Sequence, residues 1–365
     1  MRNKEHISQN QLGFMIVLFE IGSTPLFMLG ASAKQDAWLA MALAAMIGLL
    51  LLWMFLSIQK KQPRLHLIAL LPLYWGRPVG IFLSSTYVLY FAYESMRNVR
   101  DFGELTSLTL LSETPMAVTM LIVIIIGAYA VYSGVEVIFR IGEILLVLYL
   151  GSSLLIILFF FIMKVVHFEQ LLPMLENGVT PVLKAAFPDL VSFPFGQIVI
   201  FLMFWHFTNE EQGFPLKTSL KAYIFVSCFL IFTSMLNIAI LGPTLAALTT
   251  IPFLQSIQLI SLANVLERMD VLITLLVFVG LFMKMIMFYF CTVLGLSYLT
   301  SSNARRWTIP AGIVIYASSL LEPNYTSHVW VGLKISVKFF PIFQIIMPLV
   351  LWVTILLRRR IPVQP

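Results

Sequence analysis

The 365-residue sequence predicts an all-α integral membrane fold of ten transmembrane helices, arranged as a five-plus-five inverted repeat in which spans 1 and 6 are broken. Three observations predict it. The chain is 60% hydrophobic and only 11% charged, with a mean hydropathy of +0.95, a composition that suits lipid as solvent. Apolar runs long enough to cross a hydrocarbon layer of about 30 Å recur along the whole chain, so 1–365 reads as one membrane domain. Two of these runs are interrupted, at Gly22-Ser23-Thr24-Pro25 and at Phe193-Pro194-Phe195-Gly196, about half a chain apart. Backbone that leaves helical hydrogen bonding at membrane depth must find partners in protein or in a wet cavity. Corresponding breaks in two halves are the sequence mark of inverted-repeat permeases.

The spans fall at about 12–31, 37–58, 79–100, 115–133, 141–163, 190–208, 219–241, 270–299, 308–321 and 339–357, with a first repeat over about 12–163 and a second over about 180–357. Positive charge in the connections sets orientation. With the N-terminus inside, the inner segments hold Arg2, Lys4, Lys60, Lys61, Arg64, Arg77, Arg140, Lys217, Lys221, Arg305, Arg306 and Arg358 to Arg360, which is 14. The outer segments hold Lys34, Arg97, Arg100, Lys164, Lys184, Arg268, Lys334 and Lys338, which is 8. Both termini are therefore expected on the cytoplasmic side, and the net charge of +6 reflects orientation rather than a nucleic-acid surface. The first apolar stretch is too long for a signal-peptide core, contains Glu20 and is followed by nine more spans, so it is read as a span. Residues 60–80 mix Lys60, Lys61, Arg64 and Arg77 with Leu67, Leu70, Tyr74 and Trp75, which predicts a cytoplasmic interfacial segment with its basic residues toward anionic lipid. Cys228 and Cys291 both fall inside spans and read as small hydrophobes. No phosphate loop, metal-ligand cluster or nucleophile elbow is present, so neither an enzyme, a cofactor nor a metal site is expected.

Polar residues at depth mark the candidate site. Lys284 sits in the middle of span 8, where a charge costs between about 2.5 and 17 kcal/mol and calls for a partner inside the bundle. Glu20, before the first break, and Glu143, early in span 5, are the candidate partners, and these three form an expected ion or coupling group. The competing reading makes Lys284 a structural anchor. At the first break, Gly22, Ser23, Thr24 and Pro25 open a half-helix whose free amides and dipole suit a carboxylate. At the second, Gly196 allows close backbone approach, Gln197 offers a donor and an acceptor, and Phe193 and Phe195 wall an apolar side chain. Phe282, two residues before Lys284, is counted with the same pocket. Kinks for packing alone are the alternative at either break. In span 3, Tyr87, Tyr90 and Glu94 share a helical stripe, which suits either a pocket wall or packing; Tyr90 and Glu94 are taken as pocket candidates. Arg97, Arg100, Asp101 and Glu104 read as a solvated or partner-facing rim, and His206 beside Asn209-Glu210-Glu211 as a cytoplasmic mouth.

Several motifs together resemble the B subunit of GerA-type spore germination receptors. They are Gly22-Ser23 with Leu29-Gly30, Lys34-Gln35-Asp36-Ala37-Trp38-Leu39, Leu172-Pro173-Met174-Leu175-Glu176-Asn177-Gly178 with Pro181, Ala186-Phe187-Pro188, Ser192 to Gly196, and Glu267-Arg268-Met269-Asp270. The pattern departs at Gln197, where the family often carries Glu. The resemblance implies a LeuT-like member of the amino acid/polyamine/organocation superfamily in the spore inner membrane. Such a subunit senses a small nutrient germinant, commonly an amino acid, between broken helices 1 and 6. Its implied partners are an A-type membrane subunit and a C-type lipoprotein subunit. A proton-coupled amino acid transporter using the same pocket is the alternative, and a scaffold without ligand a third.

Overall fold

A computed structural model describes residues 6–208, 213–249, 252, 255–256 and 269–358. Asn209-Glu210-Glu211, the Glu267-Arg268 half of one motif, Arg2 and Lys4 at one end and Arg359 and Arg360 at the other lie outside the described residues. Among the described residues the chain is helical, with a single isolated bridge between Ile7 and Thr208 in place of any strand.

The order is α1 (Gln9–Ile21), α2 (Ala37–Lys61), α3 (Leu67–Trp75), α4 (Arg77–Thr109), α5 (Met116–Ser133) and α6 (Val135–Ile162). Next come a short α7 (Thr180–Ala185) that leads into the segment Thr180–Met203, then α8 (Leu216–Leu248), α9 (Met269–Leu299), α10 (Ala304–Ser319) and α11 (Tyr325–Leu357). Helix therefore lies at each of the ten predicted spans. Among the described residues, seven helices are both long and apolar enough to cross a bilayer. The other three fall short for physical reasons. The break stops α1 after 13 residues, α10 has only 16, and the C-terminal half of α4 is charged.

Local chemistry sets several ends. Ser8 and Gln11 form a reciprocal capping box at the start of α1, with Ser8 Oγ accepting from Gln11 N at 3.1 Å and Gln11 Oε1 from Ser8 N at 3.0 Å. Asn303 and Asn324 cap α10 and α11 in the same sense. Helix α11 begins at Tyr325 rather than near residue 339, carrying Lys334, Ser336 and Lys338 inside it. It accommodates two wide π turns, Val331–Ser336 and Ile342–Ile346. A third, Ala186–Leu190, lies before the second break. Such turns in helices often mark functional positions.

At the centre, α9 runs along α4 and touches α1, while α1 also packs on α6 and α8. Outward side chains of α5 and α6, among them Ile125, Tyr129, Ile144, Leu148 and Leu158, are exposed apolar groups. That pattern suits lipid as the outer solvent. Within the segment 60–80, Leu67, Ile68, Leu70, Leu71 and Tyr74 of α3 are buried in protein, largely against α4. The Ser84 hydroxyl donates to the Ile68 carbonyl at 3.0 Å and Arg358 to the Tyr74 carbonyl at 2.6 Å, so polar contacts tie α3 down as well.

Candidate functional site

Both predicted breaks are present. Helix α1 ends when Gly22 adopts φ 30°, a conformation that other residues resist, with its N–H still bonded to the Leu18 carbonyl at 3.0 Å. A single 3-10 turn, Thr24–Leu26, comes next, and the Thr24 hydroxyl donates back to the Glu20 carbonyl at 2.9 Å. No regular α-helix resumes until Ala37. The expected half-helix after Pro25 is therefore absent, and with it the dipole that would hold a carboxylate, because the chain from Phe27 to Asp36 spends its hydrogen bonds on turns.

Positive charge reaches the first break from α9 instead. A side chain at Gly280 would lie 3.1 Å from the carbonyl carbon of Gly22 and 3.2 Å from its Cα, so the two backbones meet there. One turn further on, the aliphatic stem of Lys284 lies against Gly22. The Lys284 ammonium sits 4.6 Å from the ring centre of Phe193 and 5.3 Å from that of Phe19. Lys284 thus spans from the first break to the second. Its charge acts on Glu20 and Glu94, and all three side chains are buried.

The second break runs through the turn at Phe193-Pro194 into a 3-10 helix, Phe195–Met203. Gln197 opens that helix and donates through Nε2 to Glu94 Oε2 at 2.6 Å, which ties the second break to α4. Gln344, in the second π turn of α11, donates to the Tyr90 hydroxyl at 2.9 Å, and Tyr90 stacks on Phe343 at 4.9 Å. The Tyr87 hydroxyl donates to the Phe343 carbonyl at 2.7 Å. The stripe on α4 accordingly joins α11 on one side and the second break on the other.

What distinguishes this region is its unspent polarity. Among the described residues, both Glu20 carboxylate oxygens, Lys284 Nζ, Glu94 Oε1, Gln197 Oε1, Asn98 Oδ1 and Gln344 Oε1 are buried without a hydrogen-bond partner. A buried polar atom left so costs about 1–3 kcal/mol, and more when charged. A cavity of about 30 Å³ is lined by Ser23, Glu94, Asn98 and Gln197 together with Phe27 and Phe193. Phe193, Leu333 and Val337 line both it and a 210 Å³ cavity reaching Gly30, Asp189 and Lys334.

The remaining predicted residues lie around this centre rather than in it. Thr24 and Pro25 line a separate 30 Å³ cavity with Tyr149 and Asn237. Phe195 is fully buried and meets Tyr223 edge-on at 6.0 Å. Gly196 gives close approach to protein: a side chain there would lie 2.7 Å from the Val191 carbonyl and 3.0 Å from Gln344 Cδ. Phe282 is partly buried against the core. Glu143 stands apart, accepting from Gln11 Nε2 at 3.4 Å near the start of α1, so the carboxylates whose charges act on Lys284 are Glu20, Glu94 and Asp101.

The expected charged rim on α4 is instead a buried network. Arg97 Nη1 donates to the His328 carbonyl at 2.8 Å and to Glu322 Oε1 at 3.4 Å. His328 Nε2 lies 2.9 Å from Asp101 Oδ1, and its other ring nitrogen contacts Glu322. Arg100 holds Glu104 at 2.7 Å. Asp101 and Arg100 are each only 4% exposed, because α11 starts well before its apolar run suggests and covers α4. His328, Glu322 and Gln344 escaped sequence reasoning; the polar positions in a π-turned helix were the one signal available. At the opposite end the His66 and His206 rings meet tilted, with centres 5.3 Å apart, and Tyr298 meets His66 edge-on. Burial holds the His66 imidazole, in the connection before α3, down to about 4. Among the described residues no group of three or more His, Cys, Asp or Glu side chains could hold a metal ion.

The family described as "Spore germination protein" matches residues 6–327. The chain is 30% identical to Spore germination protein KB of Bacillus subtilis (strain 168), over 98% of this chain and 96% of that protein. It is 26% identical to the putative spore germination protein YfkT of the same organism over 77% and 76% of the two chains, and 22% identical to Spore germination protein A2 over 89% and 88%. These likenesses agree with the motifs that point to germination receptors, and with a non-enzymatic, permease-like membrane protein. The chain belongs to the spore germination protein family.

Proposed function

We propose that this chain is the nutrient-sensing subunit of a spore germination receptor. Its ten spans form two inverted halves of the LeuT-like type, and a small germinant, of the amino acid class, binds where broken spans 1 and 6 meet. Binding biases the assembly, with an A-type membrane subunit and a C-type lipoprotein, toward germination. The site of action is the spore inner membrane, with both termini on the core side. One observation carries the reading: two interrupted spans and α4 converge on buried charged and amide groups with unspent hydrogen-bonding capacity, beside a cavity. A purely structural bundle would gain stability by replacing such groups with apolar ones. The names of the relatives, Spore germination proteins KB and A2 among them, support the setting.

A sensor needs only a difference in ligand affinity between two states. Spores carrying this gene as the sole receptor of its class should germinate on a subset of a nutrient panel and lose that response when Lys284 or Glu94 is replaced. An unchanged dose-response in both variants would remove the site from the account. Saturable, proton-dependent accumulation of an amino acid in proteoliposomes holding this chain alone would favour the transporter alternative.

A further inference from the structure

We infer that the group recognised by the inner end of this site is an ammonium, seated against Glu94 with the Gln197 and Asn98 side-chain oxygens. The inference rests on the ligand site proposed above and names the chemistry read there.

Three observations carry it. First, the unpartnered side-chain atoms of the residues lining the 30 Å³ cavity are all acceptors: Glu94 Oε1, Gln197 Oε1 and Asn98 Oδ1, on residues that are at most 4% exposed. Each has its other side-chain atom already committed. Gln197 Nε2 donates to Glu94 Oε2 at 2.6 Å and Asn98 Nδ2 to the Glu94 carbonyl at 2.8 Å, and since flipping either amide would set oxygen against oxygen, each orientation is fixed with its oxygen unspent. Three acceptors match the three N–H donors of a primary ammonium.

Second, charge points the same way. Two buried carboxylates, Glu20 and Glu94, share one amine, Lys284, whose stem is directed to the first break and whose ammonium lies over Phe193 and Phe19. The next cation outward, Arg97, is held by Glu322 and the His328 carbonyl. The centre therefore carries one carboxylate more than its own cations match, and a buried charge of that kind calls for a counter-charge.

Third, size and surroundings fit. The cavity is small enough to suit an ammonium head, and it shares Phe193, Leu333 and Val337 with the 210 Å³ space that has room for the rest of a small molecule. Arg97 and Asp101 line the same cavity about one and two turns along α4 from Glu94.

The test uses the purified full chain in detergent and pairs of probes that differ only at the amine: L-alanine with L-lactate, and L-valine with 2-hydroxyisovalerate, plus D-glucose as a neutral donor-rich molecule. Melting temperature is followed against probe concentration. The expected result is that at least one amino acid stabilises the protein, its hydroxy acid binds at least tenfold more weakly, and Glu94→Gln removes the difference while melting cooperatively without ligand. A hydroxy acid binding within threefold of its amino acid overturns the ammonium assignment and leaves the site standing. So does stabilisation by glucose alone. Stabilisation by none of the probes removes the site and the inference together. The probe pairs decide the matter even if Glu94→Gln fails to fold.

Discussion

Replacing Lys284 by Met tests the buried centre through stability, independently of any ligand. The ammonium lies within 5.3 Å of two aromatic rings and its charge acts on Glu20, both of whose carboxylate oxygens lack hydrogen bonds. Met fills the channel of the aliphatic stem, so the loss is electrostatic rather than steric. Breaking a buried pair by removing one partner costs about 3–5 kcal/mol. If Glu20 takes up a proton instead, the penalty falls toward the roughly 1–3 kcal/mol of an unpaired neutral group. The expected range is about 2–5 kcal/mol. An unfolding entropy of roughly 2.1 cal/mol/K per residue gives about 0.8 kcal/mol per degree for a chain of 365 residues, hence a fall of about 3–6 °C in Tm. The assay is a double-mutant cycle in detergent with Lys284→Met, Glu20→Gln and the combination. The account expects the double variant to recover more than about 1 kcal/mol relative to the sum of the singles. An interaction energy below about 0.5 kcal/mol would refute the pairing and make Lys284 an anchor independent of Glu20.

Three further outcomes are expected. Gly280→Ala would drive a methyl into the Gly22 carbonyl oxygen, with the carbonyl carbon 3.1 Å away, forcing α9 off the first break by about 1 Å to reach ordinary contact; overpacking of this kind costs about 1–3 kcal/mol, and a germination dose-response shifted to higher nutrient concentration is the readout. His328→Ala should lower the Tm by several degrees, since it leaves Asp101 and Glu322 without their shared partner; an unchanged Tm would mean the network carries no stability. The third concerns pH. The folded His66 imidazole is held near 4 against an ordinary 6.5, so between those values the unfolded chain binds the extra proton. Its contribution is full above pH 6.5 and is lost as pH falls toward 4, up to about 3 kcal/mol. The Tm should fall across that window, and His66→Gln should flatten the fall.

Much of this architecture was legible in the sequence because lipid imposes simple rules. Apolar run length gave the helix positions, and the Gly-Ser-Thr-Pro and Pro-Phe-Gly interruptions located both breaks, since nothing else in an apolar run forces the backbone to leave a helix. Glu20, Glu94, Gln197 and Lys284 stood out as polar groups where burial is costly, and they lie together. The course of the chain beyond Pro25 was not legible, because whether a helix resumes depends on the packing of residues 27–36 against α8 and the Thr180–Met203 segment, not on local propensity. The burial of Arg97, Asp101 and His328 was hidden for a related reason. The polar start of α11 reads as a loop until a neighbouring helix supplies its partners. Gln344 is a single polar residue in an apolar run, and only the π turn that rotates it toward Tyr90 and Gly196 gives it meaning.

Whether a nutrient binds where the two breaks meet α4 is decided by an experimental structure of the purified chain bound to whichever nutrient raises its Tm. Ligand density is expected between Ser23, Glu94, Phe193 and Gln197, with both breaks retained. Density elsewhere, or continuous helices through Gly22 and Phe193, would contradict it.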